Sequence, residues 1–146
     1  MLIYLFQTGV CYKYGAGTPK DEDKALNYCL LAADQGYMNA IFEAIYFFCD
    51  RYNKEGNKHI YNAIYYCKKC IKLSETKEFD KAKKEKVTKL LSSLSSVCRV
   101  CGKKGEGYKC CSKCTCVYYC GVDCQKKDWK ENNRHKEECK RLLNYV

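Results

Sequence analysis

The chain has 146 residues, with 27 Lys and Arg against 17 Asp and Glu, one Pro, nine Gly, fourteen Cys and a formal charge of +10. That length holds one compact domain or two small ones, and 47% hydrophobic residues with so little Pro and Gly exclude a disordered chain. No apolar run approaches the roughly 20 residues of a membrane span, and MLIYLFQTGV has no basic segment ahead of its short apolar run, which excludes a secretory signal. The expectation is an intracellular protein, in cytoplasm or nucleus, with no membrane partner, whose reduced thiols ligate metal in preference to forming a cystine scaffold.

Taken in chain order, the first half reads as helices and repeats itself. KALNYCLLAADQG, from Lys24, and NAIYYCKKCIKLS, from Asn62, superimpose at an offset of 38 residues, placing Ala25 on Ala63, Tyr28 on Tyr66 and Cys29 on Cys67. A period of that size suits a helix–turn–helix pair that stacks on its neighbours to bury a face it cannot cover alone. Two pairs are expected, at roughly 2–36 and 40–73. The pattern Gly9-x2-Tyr12-x2-Gly15-x-Gly17, then Asp23-Lys24-Ala25-x2-Tyr28-x3-Ala32-Ala33-x-Gln35-Gly36-x3-Ala40, resembles the Sel-one-like repeat, a relative of the tetratricopeptide repeat. Gly9, Ala32 and Ala33 are small enough for helix backbones to approach, and Gly36 stands where a helix stop with positive φ belongs. The second copy is less regular, with Phe47 in place of the glycine and RYNKEGNKH in place of the glycine-rich turn. Cys11, Cys29, Cys49, Cys67 and Cys70 fit helical packing, and His59 falls in a polar loop, where solvation is expected.

In EFDKAKKEKVTKLLSSLSSV, residues 78 to 97, Val87, Leu90, Leu91, Leu94 and Val97 recur at spacings of three and four and draw one apolar stripe, which suits a helix capping the short stack. Asp80 with Lys84 and Glu85 with Lys89 stand in the favourable acid-first order. The lysine run is a solvated face.

From there the cysteines come in pairs: Cys98-x2-Cys101, Cys111-x2-Cys114, Cys120-x3-Cys124 and His135-x3-Cys139. A tight two-residue turn brings two sulfurs within the roughly 4 Å that tetrahedral zinc requires, and residues four apart share a helix face. Four pairs give eight ligands and hence two zinc ions. With seven thiolates and two Zn2+ counted, the formal charge falls to about +7, so part of the basicity balances the centres themselves.

The pair order, VYYC ahead of the third pair, Gln125 directly after it and Trp129 beyond resemble the MYND zinc finger over residues 98–139. In that family the sites interleave, which implies Cys98, Cys101, Cys120 and Cys124 at one zinc and Cys111, Cys114, His135 and Cys139 at the other. The spacing departs from the family between Cys124 and His135. At the usual histidine position stands Asn132, a poor zinc ligand, and KENNR is expected to bulge the second helix. Cys110 and Cys116 are left as small thiols or substitute ligands.

The expected fold is thus mainly α: a helical-repeat solenoid fragment over 1–75, a capping or connecting helix over 76–97, a small zinc-stabilised α+β finger over 98–139 and a tail over 140–146. With every coordination position filled by protein, both sites are structural, and a unit of this size depends on its metal to fold. No paired carboxylates or nucleophile motif point to catalysis. The resemblance implies recognition of partner proteins or short proline-containing peptides, with Tyr118, Tyr119, Gln125 and Trp129 as groove candidates or as a mini-core over the zinc sites, and a second, concave surface on the repeats. Two other readings stand beside this adaptor. One is nucleic-acid binding by Lys103, Lys104, Lys109, Lys113, Lys126, Lys127 and Lys130, weakened by the lack of base-stacking aromatics on a basic sheet. The other is a targeting fragment or subunit of a larger assembly.

Overall fold

The computed structural model describes residues 1–76, 78–131 and 134–143, with residues 131, 134 and 141–143 described as backbone alone. Asn132 and Asn133 of the KENNR segment, and the last residues of the tail, lie outside the described residues. The helical part comprises α1 (Leu2–Tyr14), α2 (Glu22–Asp34), α3 (Met38–Glu55), α4 (Ile60–Ser74) and α5 (Lys81–Ser95), with a 3₁₀ turn at Asn57–His59 ahead of α4. Each of these helices packs on its neighbours in sequence, α1 on α2, α2 on α3, α3 on α4 and α4 on α5, as in a solenoid.

Local chemistry sets these elements. Asp21 starts α2 by accepting the Lys24 N–H at 3.0 Å, with Glu22 and Asp23 at the positive end of the helix. The same helix stops at Gly36, whose φ is +87°: the Tyr37 N–H bonds to the Ala32 carbonyl at 3.1 Å and the Gly36 N–H to the Ala33 carbonyl at 3.0 Å, the two bonds of a Schellman turn. Gly9 lets α1 lie against α2, since a Cβ there would stand 3.0 Å from the Ala25 carbonyl oxygen. At the equivalent position of the second pair, Phe47 instead lines a cavity between α1, α2 and α3.

The core alternates small and branched side chains. Ala32, Ala33, Ala40, Ala44 and Ala63 are buried and bring α2, α3 and α4 close, while Ile41, Ile45, Ile60 and Ile64 fill the remaining volume. Cys29, Cys67 and Cys70 belong to this core, and the Cys29 thiol donates to the Ala40 carbonyl at 3.2 Å. Burial pushes the Cys29 and Cys67 thiols up to about 12. The α5 stripe turns inward, with Val87, Leu94 and Val97 buried and Leu90 and Leu91 half-buried.

Two local expectations need correction. Asp80 does not pair with Lys84; it caps α5, accepting the Ala82 N–H at 2.9 Å, because that N–H is unpaired at a helix start. His59 is not merely solvated: its Nε2 lies 2.8 Å from Glu55 Oε2, and Lys58, at 2.9 Å from the same oxygen, holds that carboxyl down to about 2 with the help of His59.

After α5 the chain forms an isolated antiparallel bridge between Val97 and Lys104. A two-stranded antiparallel ladder of β1 (Lys109–Cys110) and β2 (Tyr118–Tyr119) follows, then α6 (Val122–Lys126), a π-helical turn at Lys127–Glu131 and α7 (Arg134–Leu143). The Lys68 ammonium of α4 donates to the Thr115 carbonyl and, at 3.2 Å, to the Tyr118 hydroxyl. The Arg99 guanidinium lies 5.0 Å from the Tyr61 ring centroid. Helices and cysteine-rich segment therefore share one apolar cluster, in which Ile64 and Cys67 join Val117 and Tyr119.

Candidate metal centre

Two tight turns present the first ligand pairs. In one, the Gly102 N–H bonds back to the Cys98 carbonyl at 2.9 Å; in the other, the Thr115 N–H bonds back to the Cys111 carbonyl at 2.9 Å. Each turn closes on a residue of positive φ, +72° at Gly102 and +57° at Thr115. The second is a β-branched residue in a region that such side chains disfavour. Cys120 follows β2 directly and Cys124 lies on α6, while His135 and Cys139 stand one turn apart on α7.

These elements assemble two tetrads, Cys98 with Cys101, Cys120 and Cys124, and Cys111 with Cys114, His135 and Cys139. Within each, all ligand atoms lie within 4.8 Å of one another. Tetrahedral zinc with bonds of about 2.3 Å separates its sulfurs by about 3.8 Å. In the first tetrad Cys101 and Cys120 are 3.7 Å apart and Cys120 and Cys124 3.6 Å apart. In the second, Cys111 and Cys139 are 3.9 Å apart, and Cys114 Sγ lies 3.7 Å from His135 Nε2. The donor sets fit two structural zinc ions, and all fourteen cysteines are free of disulfides. Burial alone would push the Cys98 and Cys111 thiols up, yet both are lowered. Backbone N–H groups of Cys101, Cys120 and Val100 act on the first, and His135 with the N–H groups of Cys114 and Lys113 on the second. At these two ligands the surrounding chain favours the thiolate that zinc requires, while Cys114 and Cys120 are held up by neighbouring thiols and Cys124 and Cys139 by burial and neighbouring thiols.

Cys110 and Cys116 join neither tetrad. Cys116 is buried, and its thiol donates to the Cys114 carbonyl at 3.1 Å, bracing the second turn.

A charged cluster beneath the centres was not anticipated from the sequence. Arg99, inside the first turn and 4% exposed, reaches Asp128 Oδ2 at 3.0 Å and Glu138 Oε2 at 2.5 Å. Tyr119 donates its hydroxyl to Asp128 at 2.8 Å, and burial with that carboxylate's charge holds the Tyr119 proton well above the usual phenol range. His135 Nδ1 faces Glu138 Oε2 at 3.8 Å, so the ring that turns Nε2 to Cys114 has a carboxylate behind it. One residue beside a ligand of each tetrad, Arg99 next to Cys98 and Glu138 next to Cys139, therefore meets the other across the finger. Sequence offered one signal, an arginine between two cysteines, with nothing to show its partners.

Over the second tetrad lies a cavity of about 280 Å³ lined by Tyr119, Gln125, Trp129, Lys113, Lys126 and Lys130 together with Cys111, Ser112 and His135. Three of the four groove candidates line it. Tyr118 does not: adjacent strand residues point to opposite faces, so it turns to Lys68 of α4. Trp129 also covers the histidine, with ring centroids 5.7 Å apart, so its groove-lining and covering roles coexist. It sits in the π turn, where the helix distorts from Lys127 onward, ahead of the KENNR segment.

A stack of helical pairs fused to a small finger with two Cys/His tetrads defines a zinc-finger protein of the helical-repeat kind. More particularly, residues 3–37 match the Sel1 repeat and residues 98–139 the MYND finger. Among curated proteins the chain is 52% identical over 40 residues to a SET and MYND domain-containing protein of Dictyostelium discoideum, covering 27% of this chain and 7% of that one. It is 48% identical over 40 residues to the N-lysine methyltransferase SMYD2-A of Xenopus laevis, covering 27% and 9%. It is 49% identical over 39 residues to the histone-lysine N-methyltransferase ASHR1 of Arabidopsis thaliana, covering 27% and 8%. The matches fall in the MYND region, and the chain spans less than a tenth of the length of these relatives. No solved structure matches the chain.

Proposed function

We propose that this chain is a non-catalytic adaptor whose MYND finger, folded around two structural zinc ions, docks proline-containing segments of partner proteins, while the helical repeats engage a second partner. The reading places Cys98, Cys101, Cys120 and Cys124 at one ion and Cys111, Cys114, His135 and Cys139 at the other. It divides the chain into repeats (1–75), connecting helix (76–97), finger (98–139) and tail (140–146). Because each proposed ion has four protein ligands, neither presents an open position for water or substrate. When bound, zinc supplies the folding energy of a unit too small to fold on apolar burial.

The observation that carries the reading is the cavity over the second tetrad, with Trp129, Tyr119 and Gln125 in its lining. Aromatic faces beside a polar amide suit the ring and carbonyl of proline. On the repeats, a cavity of about 370 Å³ between α1, α2 and α3, with Phe6, Val10, Leu26 and Phe47 in its lining, supports the second docking surface. No helix among the described residues is long and apolar enough to cross a membrane, in keeping with a place in cytoplasm or nucleus.

The test is capture of proline-containing peptides by the zinc-loaded full chain and by its Trp129→Ala and Gln125→Ala variants, with zinc content measured on each. An aromatic anchor at the centre of a small interface is worth about 2 kcal/mol or more, a loss of roughly thirtyfold. Unchanged capture by a Trp129→Ala protein that retains its zinc refutes the groove.

A further inference from the structure

The two cavities differ in charge. The one on the repeats carries both signs: Lys13 is bonded to Glu43 at 2.6 Å and Lys54 to Asp50 at 2.8 Å, so cations and anions cancel at its rim. The described lining of the cavity on the finger has one sign only. Among the described residues, Lys113, Lys126 and Lys130 line it and no carboxylate does. All three lysines are exposed, and among the described residues none forms an ion pair. Asp128, in the same π turn as Lys130, is 3% exposed and engaged with Arg99 and Tyr119.

The Cys3His centre that the cavity overlies does not by itself cancel these charges. A Cys3His site carries about one net negative charge, three thiolates against one Zn2+, and three ammonium groups exceed it by about two. The lysines come from two separate segments, Lys113 from the second cysteine turn and Lys126 with Lys130 from α6 and the π turn.

We infer that the segment this groove takes is acidic, with Asp or Glu flanking an apolar, proline-containing centre that sits against Trp129. The inference rests on the groove reading above and names the chemistry of its partner. Nucleic acid is less well served: successive bases need several open aromatic faces along a basic track, whereas the described lining offers one, Trp129, with Tyr119 buried.

The experiment selects binders from a peptide library with a fixed central proline and degenerate flanks, using the zinc-loaded full chain, a Lys113→Glu/Lys126→Glu/Lys130→Glu variant and Trp129→Ala. Enrichment of Asp and Glu at the flanks is expected. Each exposed ion pair is worth a factor of about 1.5 to 5, so the triple variant should weaken an acidic binder about tenfold or more, and raised salt should weaken it likewise. The triple variant's zinc content reports that it has folded. Flanks showing no acidic preference, or an acidic binder untouched by charge reversal, overturn the inference and leave the groove standing. A library in which nothing binds overturns both. A labelled oligothymidylate that displaces the selected peptide at equal concentration overturns it in favour of nucleic acid.

Discussion

Replacement of Arg99 by Met tests how the finger is held together. The Arg99 side chain is 2% exposed, and its partners Asp128 and Glu138 are 4% and 11% exposed, so solvent and salt screen the cluster little. Methionine keeps much of the apolar stem but leaves the buried Asp128 without its cation and takes one cationic partner from Glu138. Breaking a buried pair in this way costs about 3 to 5 kcal/mol, mainly through the uncompensated charge left behind. For a chain of this length that lowers the melting temperature by roughly 10–15 °C. Because Arg99 neighbours Cys98 and Glu138 neighbours Cys139, zinc should also leave both sites faster, which competition with a chromogenic chelator reads directly. The variant Arg99→Met/Asp128→Asn/Glu138→Gln removes all three charges and should recover at least half of the lost stability. A loss below about 1 kcal/mol for Arg99→Met, the value of an exposed pair, would show that the guanidinium is solvated and would refute the clamp.

At Thr115, φ of +57° is disfavoured for a β-branched residue, so Thr115→Gly should raise stability by about 0.5–1 kcal/mol in chemical denaturation, and a loss would show that the threonine side chain holds the turn. Gly9→Val should destabilise by about 1–3 kcal/mol, because even the Cβ would meet the Ala25 carbonyl at 3.0 Å; a neutral or stabilising result, as helix propensity alone would give, would refute the close approach. The buried thiols Cys29 and Cys67 titrate near 12 when folded, against about 9 when unfolded, so their contribution is complete below pH ~9 and is lost as pH rises towards 12. Stability should therefore fall in that window by about 1 kcal/mol per pH unit for each thiol, and Cys67→Ala should flatten the slope by that amount; an unchanged slope would contradict the burial.

The parts legible in the sequence were those set by spacing. Ala25 on Ala63 and Cys29 on Cys67 announce a repeated helical pair because helix packing recurs with a fixed period, and the four ligand pairs announce tetrads because zinc fixes the distance between its sulfurs. What stayed hidden depends on approach across the fold. Whether Tyr118 or Tyr119 faces the cavity is settled by strand register, and the register is visible only once β2 is paired with β1. Arg99, Asp128 and Glu138 are distant in the chain and carry ordinary surface residue types, so nothing in composition marks them as buried. Asp80 could read equally as an ion-pair partner or a helix cap, and the unsatisfied N–H groups at the start of α5 decide for the cap.

Zinc stoichiometry of the purified full chain, measured by elemental analysis alongside native mass spectrometry, bears most directly on the tetrads. Two ions per chain are predicted, with Cys110→Ser/Cys116→Ala retaining both, since neither thiol belongs to a tetrad. Fewer than two ions, or a mass deficit showing cystines among residues 98–139, would contradict the account.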